Sequence, residues 1–313
     1  MGSVERFEFD DEAGKLAYLE DMIRWRESAR SLSPGGRGLY GSTYTISLHM
    51  PDISSCANSS STRPLPALSF GVATQYKLVC PLQTGEDRHA EVWLAAPASG
   101  DQQDAPKIVF KFVVPSQGDL PTPDLDHNGI YTNEQRPFLF PHDMVQGEVA
   151  SYIALADLQG GTLPYFFGVH EVIMPWKEPT CLLALEYIQT TPRLGSLDLL
   201  PRLLPFPEIE TKYRDVALYK GLFMSALHTL RSAHARNICH GDVRGANIPI
   251  DEAHDQAVFI DWTSTHYMPS ASLPYQAYHE THKLVLIFRE AGIKEHRQEI
   301  RRLDVQHKAI NDD

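Results

Sequence analysis

The pattern of hydrophobic and polar positions predicts β-strands in three stretches that begin near residue 76. The stretches are residues 76–82 (YKLVCPL), 90–97 (AEVWLAAP) and 107–115 (KIVFKFVVP), and the polar turn QTGEDRH joins the first two. Residues 165–174 (YFFGVHEVIM) and 180–188 (TCLLALEYI) share their β-branched and aromatic composition. Such segments bounded by polar turns are typical of strands, so we expect five of them.

Two other segments carry apolar residues at the spacing of a helix. Residues 142–160 (HDMVQGEVASYIALADLQG) and 212–237 (KYRDVALYKGLFMSALHTLRSAHARN) follow a period close to 3.6. On the first of these helices the residues that we predict to be buried are Val149, Tyr152, Ile153 and Leu155.

The N-terminal part differs from the rest. Residues 10–31 have apolar positions at helical spacing and predict an amphipathic helix, which Pro34, Gly35 and Gly36 end. Residues 56–69 (CANSSSTRPLPALS) are rich in Ser and Pro and predict a loop. We therefore expect residues 1–73 to form an N-terminal extension of the main domain.

Strands gather in the first part of the main domain and helices in the second, which predicts two lobes. We expect a β-rich N-lobe over residues 74–188 and a helical C-lobe over residues 189–313. A functional site is expected between two such lobes.

Composition and charge narrow the class of partner. The chain has 313 residues and a formal net charge of −12, which argues against non-specific binding of nucleic acid or of an anionic membrane. Its four cysteines are far apart, so neither a disulfide framework nor a zinc site is predicted. No stretch approaches the roughly 18 apolar residues of a membrane span. We expect a cytoplasmic protein, with the nucleus as an alternative.

The segment HGDVRGANIPIDEAHDQAVFIDW places polar chemistry around a short apolar strand. Asp242, Asn247 and Asp261 lie on the two loops that flank this strand. Each of them alone could be an Asx turn or a helix cap. Together they offer the oxygen ligands that a divalent metal ion prefers.

Five short motifs, VFKF, GEVASY, LEYI, HGDVRGAN and IDW, occur in the order and spacing of the protein-kinase-like fold. Between about residues 76 and 292 the chain resembles the divergent fungal protein-kinase-like proteins and, more distantly, the aminoglycoside and choline kinases. The resemblance implies an α+β, bilobal protein-kinase-like fold with a small β-rich N-lobe and a shortened helical C-lobe. It also implies ATP and Mg²⁺ as cofactors and transfer of a phosphoryl group to a hydroxyl.

The resemblance assigns four residues to the transfer itself. Lys111 would contact the α- and β-phosphates of ATP, and Glu148 would hold Lys111 by an ion pair. Asp242 would orient or deprotonate the accepting hydroxyl. Arg244 would stabilise the transferring phosphate.

Other residues would bind the nucleotide and the metal ion. Asn247 and Asp261 match the two magnesium ligands, and His240 would orient the catalytic loop. Adenine would be held by main-chain groups next to Leu185. The residues that the resemblance assigns to the nucleotide are Gly85, Val92, Ala95, Lys111, Glu186 and Ile188.

Two departures from the family pattern keep alternatives open. The phosphate-covering loop, GEDRHAEV, retains only Gly85 and Val92. Gly241 replaces the arginine that many regulated kinases use to bind a phosphorylated loop, and no peptide-binding A-P-E motif follows Asp261. We favour a protein Ser/Thr acceptor, with a small-molecule kinase as the first alternative. A pseudokinase that serves as a binding or scaffold module is the alternative from another class.

Overall fold

The computed structural model describes most of the predicted main domain and parts of the N-terminal region. It describes residues 39–51, 63–84, 90–99, 105–117, 141–189, 212–268, 272–292 and 294–311, together with six helical positions between 20 and 28. The rest of the predicted N-terminal helix and Gly85 lie outside the described residues.

Mixed α and β structure is present, with strands first and helices later. The strands are β1 (Thr43–Ser47), β2 (Ala73–Gln83), β3 (Ala90–Pro97), β4 (Ile108–Val113), β5 (Phe166–Ile173), β6 (Pro179–Glu186), β7 (Ile238–Cys239), β8 (Ile250–Asp251), β9 (Gln256–Ala257) and β10 (His266–Tyr267). The helices are α1 (Pro141–Ala154), α2 (Val216–His234), α3 (Leu273–Ala291) and α4 (Lys294–Asn311).

Six strands form one sheet in the order β1-β2-β3-β4-β6-β5. The five strands expected from the hydrophobic pattern are all present in it. The edge strand β1 comes from the region that the sequence predicts to be an extension, where the pattern indicates no strand. Part of that region therefore belongs to the sheet.

The pairing of β3 with β4 decides which side chains share a face of the sheet. The register is antiparallel and continuous, and it places Val92 opposite Lys111 and Ala95 opposite Ile108. Because side chains alternate along a strand, Val92 and Lys111 lie on one face and Ala95 lies on the other. The Ala95 face also carries Phe110, which contacts the ring of Tyr76.

Contacts within the chain define two compact units. The first comprises Met1–Ile46, Ala73–Asp143 and Val169–Leu183. The second comprises Ser47–Val72, Met144–Gly168 and Ala184–Asp313. The three-part division indicated by the sequence stays a prediction.

Helix α1 buries only part of the predicted face, and Val149 is half-buried. Tyr152 and Leu155 are buried as expected, but Ile153 is 65% exposed. The buried stripe contains Met144, Glu148 and Tyr152 at helical spacing, and position 153 points away from it.

The second unit has its own helical core. Asp215 caps α2 by accepting hydrogen bonds from two backbone amides of its first turn. Tyr219 and Phe223 of α2 both contact Phe288 of α3 edge to face. In the described part of the chain, no helix has the length and apolar character needed to cross a membrane.

Candidate functional site

The loop after β7 brings two of the predicted residues into contact. Nδ2 of Asn247 donates hydrogen bonds to the backbone oxygen of Asp242 at 3.0 Å and to its carboxylate Oδ2 at 3.1 Å. Asn247 ends the short 3-10 turn Gly245–Asn247 and is buried. Since Nδ2 is used in this way, Oδ1 is the amide atom that remains for a metal ion.

Arg244 also lies beside Asp242. Its Nε is 3.0 Å from Oδ2 of Asp242, and its side chain is 47% exposed. An exposed pair of this kind contributes little to folding. The structure thus places Arg244 beside Asp242, and its contact with a transferring phosphate stays a prediction.

His240 holds the loop from inside as a neutral ring. Its Nδ1 accepts the backbone N–H of Asp242 at 3.3 Å, and its Nε2 lies 3.1 Å from the carbonyl oxygen of Ile260. The second contact requires a proton on Nε2, and the first requires none on Nδ1. Burial lowers the pKa of His240, which agrees with a neutral ring.

Glu280 of α3 fixes the backbone of this loop, a role that the sequence motifs do not indicate. Its carboxylate accepts the backbone N–H groups of His240 at 3.2 Å and Gly241 at 2.6 Å, and it lies 2.8 Å from Nε2 of His234. Burial alone would raise the pKa of Glu280, but these hydrogen bonds hold it below its ordinary value. The sequence signal for this role is a glutamate at helical spacing from Leu284 and Phe288, on the apolar face of the helix.

Gly241 occupies a position that a larger residue cannot take. Its φ is +79°, in the left-handed region, and a Cβ there would overlap the backbone oxygen of Ser264. The sequence indicates only that this glycine replaces a phosphate-reading arginine. The structure adds a steric reason, because no side chain fits between the loop and Ser264.

Asp261 is fixed at the end of the next loop by Thr263. Its φ of 63° and ψ of 66° are left-handed, which costs about 1–3 kcal/mol for a residue other than glycine. The hydroxyl of Thr263 contacts Oδ1 of Asp261 and lies 3.2 Å from Oε2 of Glu148. Thr263 thus joins the metal-binding candidate to helix α1, a role that no sequence pattern indicates.

Several carboxylates lie near the side chain of Tyr152. The phenol is fully buried, and burial is the main reason why its pKa lies well above the ordinary value. The charges of Glu148, Asp261 and Glu186 raise the pKa of Tyr152 further. The three carboxylates therefore make the surroundings of Tyr152 acidic.

The residues present fit a magnesium ion. Asp261 and Asn247 both offer an oxygen atom, and hard divalent cations prefer oxygen ligands completed by water. The backbone oxygen of Asn247 accepts the N–H of Ile260 at 3.0 Å, which ties the two loops together. These two residues are the ones that would hold the ion.

Lys111 lies in the first unit, on β4, and is only 6% exposed. A lysine is rarely buried in this way unless its ammonium group has a partner. Val92 is its cross-strand neighbour on the same face. The predicted ion pair with Glu148, which belongs to the second unit, stays a prediction.

The assignment of Ala95 to the nucleotide is wrong in this structure. Ala95 is fully buried on the face opposite to Lys111 and Val92, so it cannot share a ligand with them. Val109, two positions before Lys111, lies on the correct face opposite Leu94. The parity of strand positions was the signal that would have identified it.

The segment proposed to hold adenine follows β6. Leu185, Glu186 and Ile188 are all buried. The N–H of Glu186 donates to the backbone oxygen of Tyr165 at 2.8 Å. The carboxylate of Glu186 pairs with Arg63, which no sequence pattern had indicated.

A second group of potential metal ligands is better explained by hydrogen bonding. His234, Cys239 and Glu280 are buried, with ligand atoms within 4.8 Å of one another. Glu280 already accepts hydrogen bonds from His234 and two backbone amides. Burial, followed by the charge of Glu280, raises the pKa of Cys239 to about 12, so its thiolate is not formed readily.

Comparisons with known proteins add one structural similarity and no family. No protein-family model matches the chain, and no curated protein matches it. Its structure is similar to that of the Cydia pomonella granulovirus kinase PK-1, with a TM-score of 0.45 and 13% identity. The likeness covers 69% of this chain and 70% of that chain. At such a low identity the roles of the site residues have to be inferred from the contacts of this chain's own side chains.

Proposed function

We propose that this chain is an ATP- and Mg²⁺-dependent phosphotransferase with a bilobal, protein-kinase-like fold and a shortened C-lobe. The observation that carries the proposal is the loop on which Asn247 folds back to hydrogen-bond Asp242. Asp261, on the next loop, supplies a second metal-binding candidate in the same unit. Phosphoryl transfer needs such positioned charges more than covalent chemistry.

Asp242 is the group that receives the acceptor's proton. Asn247 and Arg244 both contact its Oδ2, so Oδ1 is the atom that we assign to the accepting hydroxyl. The N–H···Nδ1 bond to His240 fixes the backbone at Asp242. A base held in this way is oriented before the substrate arrives.

Asp261 and Asn247 hold magnesium, and Lys111 contacts the α- and β-phosphates of the nucleotide. When bound, magnesium neutralises the charge of the phosphates during transfer. Arg244 stabilises the transferring phosphoryl group from the side of Asp242, where its half-exposed side chain lies.

The accepting hydroxyl is that of a protein Ser or Thr in the first form of the proposal. A small-molecule acceptor is the second form. It is favoured by the short connection, residues 262–272, between Asp261 and α3, which offers little chain to position a peptide. Both forms require the same phosphate and metal site.

The test incubates purified protein with Mg²⁺ and ATP labelled in its γ-phosphate, against generic proteins and against a metabolite pool. Asp242→Asn serves as the matched inactive variant. Labelled product from the wild type but not from this variant supports the proposal, and its nature separates the two forms. Binding of ATP without transfer indicates a pseudokinase, and failure to bind ATP contradicts the proposal altogether.

A further inference from the structure

We infer that Arg63 is a positioning residue that fixes the segment Glu186–Ile188 for recognition of adenine. The inference rests on the proposed function, because it takes main-chain groups of this segment as the adenine contacts. Arg63 lies in the region that the sequence predicts to be an N-terminal loop.

The guanidinium of Arg63 makes a complete set of contacts. Nε and Nη2 pair with the two carboxylate oxygens of Glu186 at 2.8 and 2.9 Å. Nη1 donates to Gly161 O at 2.5 Å and to Asp251 Oδ2 at 3.3 Å, and Nη2 donates to Leu163 O at 2.7 Å. All five N–H groups of an arginine are therefore used.

Burying this ion pair costs desolvation free energy. The side chains of Arg63 and Glu186 are each 7% exposed. A buried ion pair commonly stabilises a fold no better than an apolar pair of similar size. What the bidentate pair does provide is a fixed direction, because both partners are planar.

Glu186 is the residue that transmits this direction to the backbone. Its carboxylate Oε2 also accepts the N–H of Tyr165 at 3.0 Å, and its own N–H donates to Tyr165 O at 2.8 Å. Side chain and main chain are thus both held at the start of the segment that ends in Ile188. Main-chain recognition of a ligand requires such a fixed backbone.

Arg63 itself is anchored through its own backbone. Its N–H donates to Gly160 O at 2.6 Å, and its carbonyl oxygen accepts the hydroxyl of Tyr165 at 2.8 Å. Gly160 has a φ of +74°, and a Cβ there would overlap the phenol of Tyr165. These contacts fix the backbone of Arg63 beside Gly160 and Tyr165.

The experiment measures the binding of three ligands to four variants. The ligands are adenosine, Mg·ATP and magnesium tripolyphosphate, each titrated by calorimetry well below the melting temperature of the variant. Arg63→Lys keeps the charge but loses the bidentate pair, and Asp251→Asn loosens Arg63 from the other side. Glu186→Gln keeps the shape of the partner. Arg236→Gln is the matched control, because Arg236 also pairs with a carboxylate, that of Asp157, but on the exposed surface.

Positioning predicts a ligand-specific loss. Arg63→Lys and Glu186→Gln should weaken the binding of adenosine and of Mg·ATP by the same factor, about tenfold or more. The binding of tripolyphosphate should be unchanged. Asp251→Asn should show a smaller loss of the same kind, and Arg236→Gln should show none. Equal weakening of all three ligands, or of none, would contradict the inference.

The unmodified protein provides a second measurement that does not depend on how the variants fold. Adenosine should slow hydrogen exchange in peptides covering residues 184–189 and also in those covering residues 63–70. Protection of the first without the second would overturn the role of Arg63. If wild-type protein binds neither adenosine nor Mg·ATP, the proposed function fails first and the inference falls with it.

Discussion

The backbone oxygen of Ser264 occupies the space in which Gly241 would carry a side chain. The contact joins the loop that bears Asp242 to the segment that follows Asp261. Gly241 also donates its N–H to Glu280 at 2.6 Å. The spacing between the two loops is therefore set by the absence of one Cβ atom.

Gly241→Ala should destabilise the protein and reduce its activity. The substitution meets both an unfavourable left-handed φ and a steric overlap, which together cost about 2 kcal/mol or more. The free energy of unfolding is measured in urea and turnover in the transfer assay. The control is Gly221→Ala in α2, where a Cβ has open space; it should stabilise by about 0.5–1 kcal/mol. A Gly241→Ala protein as stable and active as wild type would show that the two loops adjust freely.

Lys111→Met should greatly reduce transfer while leaving the fold intact. The methionine keeps an unbranched apolar chain among the neighbours of this buried position but removes the cation that contacts the phosphates. Turnover should fall by about 100-fold or more. Lys77→Met on β2 of the same sheet is the control and should retain full turnover. Wild-type turnover of Lys111→Met would refute the assignment of Lys111.

Local patterns predicted much of the sheet and the loop that carries Asp242 and Asn247. Asp242 and Asn247 are five positions apart, so their contact follows from one short loop. Arg63 could not be predicted in the same way, because its partners Glu186 and Asp251 lie 123 and 188 positions along the chain. A hydrophobic period reports neighbours within one helical turn or strand, and it is silent on such distant ion pairs.

The error at Ala95 has another physical origin. Both Ala95 and Val92 are recognisable as residues of one strand, but residues three apart on a strand point to opposite faces. Only the register Val92↔Lys111 shows which of them shares the face of the lysine. Once the pair Val92 and Lys111 is known, the alternation of side chains along the strand excludes Ala95 from the face that carries Lys111.

The stability of the protein should fall when the pH drops below about 6.5, in part because of His240. Burial lowers the pKa of His240 below the ordinary value of 6.5. In this range the unfolded chain binds a proton that the folded chain does not, so stability present above pH 6.5 is lost as pH falls through the folded pKa. The free energy of unfolding is measured from pH 8 to pH 5.

His240→Gln isolates this contribution. Burial lowers the pKa of His296 as well, so the wild-type curve contains both residues. The variant should be less stable at pH 8 but should lose less stability on acidification than wild type. His266→Gln, in which an exposed ring is replaced, should follow the wild-type curve. Parallel curves for wild type and His240→Gln would mean that His240 has the same pKa in both states.

Thr263→Val should increase the magnesium concentration that nucleotide binding requires. Valine has the shape of threonine but lacks the hydroxyl that contacts the carboxylates of Asp261 and Glu148. Without that contact, the strained backbone at Asp261 is free to relax and the ligand oxygens move. We expect about tenfold more magnesium at half-saturation, as is usual when the support of a metal ligand is removed.

The matched variant Thr263→Ser keeps the hydroxyl and should restore the wild-type requirement. Adenosine binding, which needs no metal, should be the same in all three proteins. A magnesium requirement that follows the loss of the methyl group instead of the loss of the hydroxyl would show that Thr263 acts by packing alone.

Activity should not depend on phosphorylation of residues 263–265. Thr263 and Thr265 are 7% and 9% exposed, so a modifying enzyme cannot reach either hydroxyl without unfolding the segment. A phosphate with a charge near −2 beside Asp261 would repel both the carboxylate and the nucleotide. Phosphatase treatment of purified protein should therefore leave turnover unchanged. A large loss of turnover on treatment, together with a phosphate located on residues 263–265 by mass spectrometry, would instead indicate an activating phosphate in this segment.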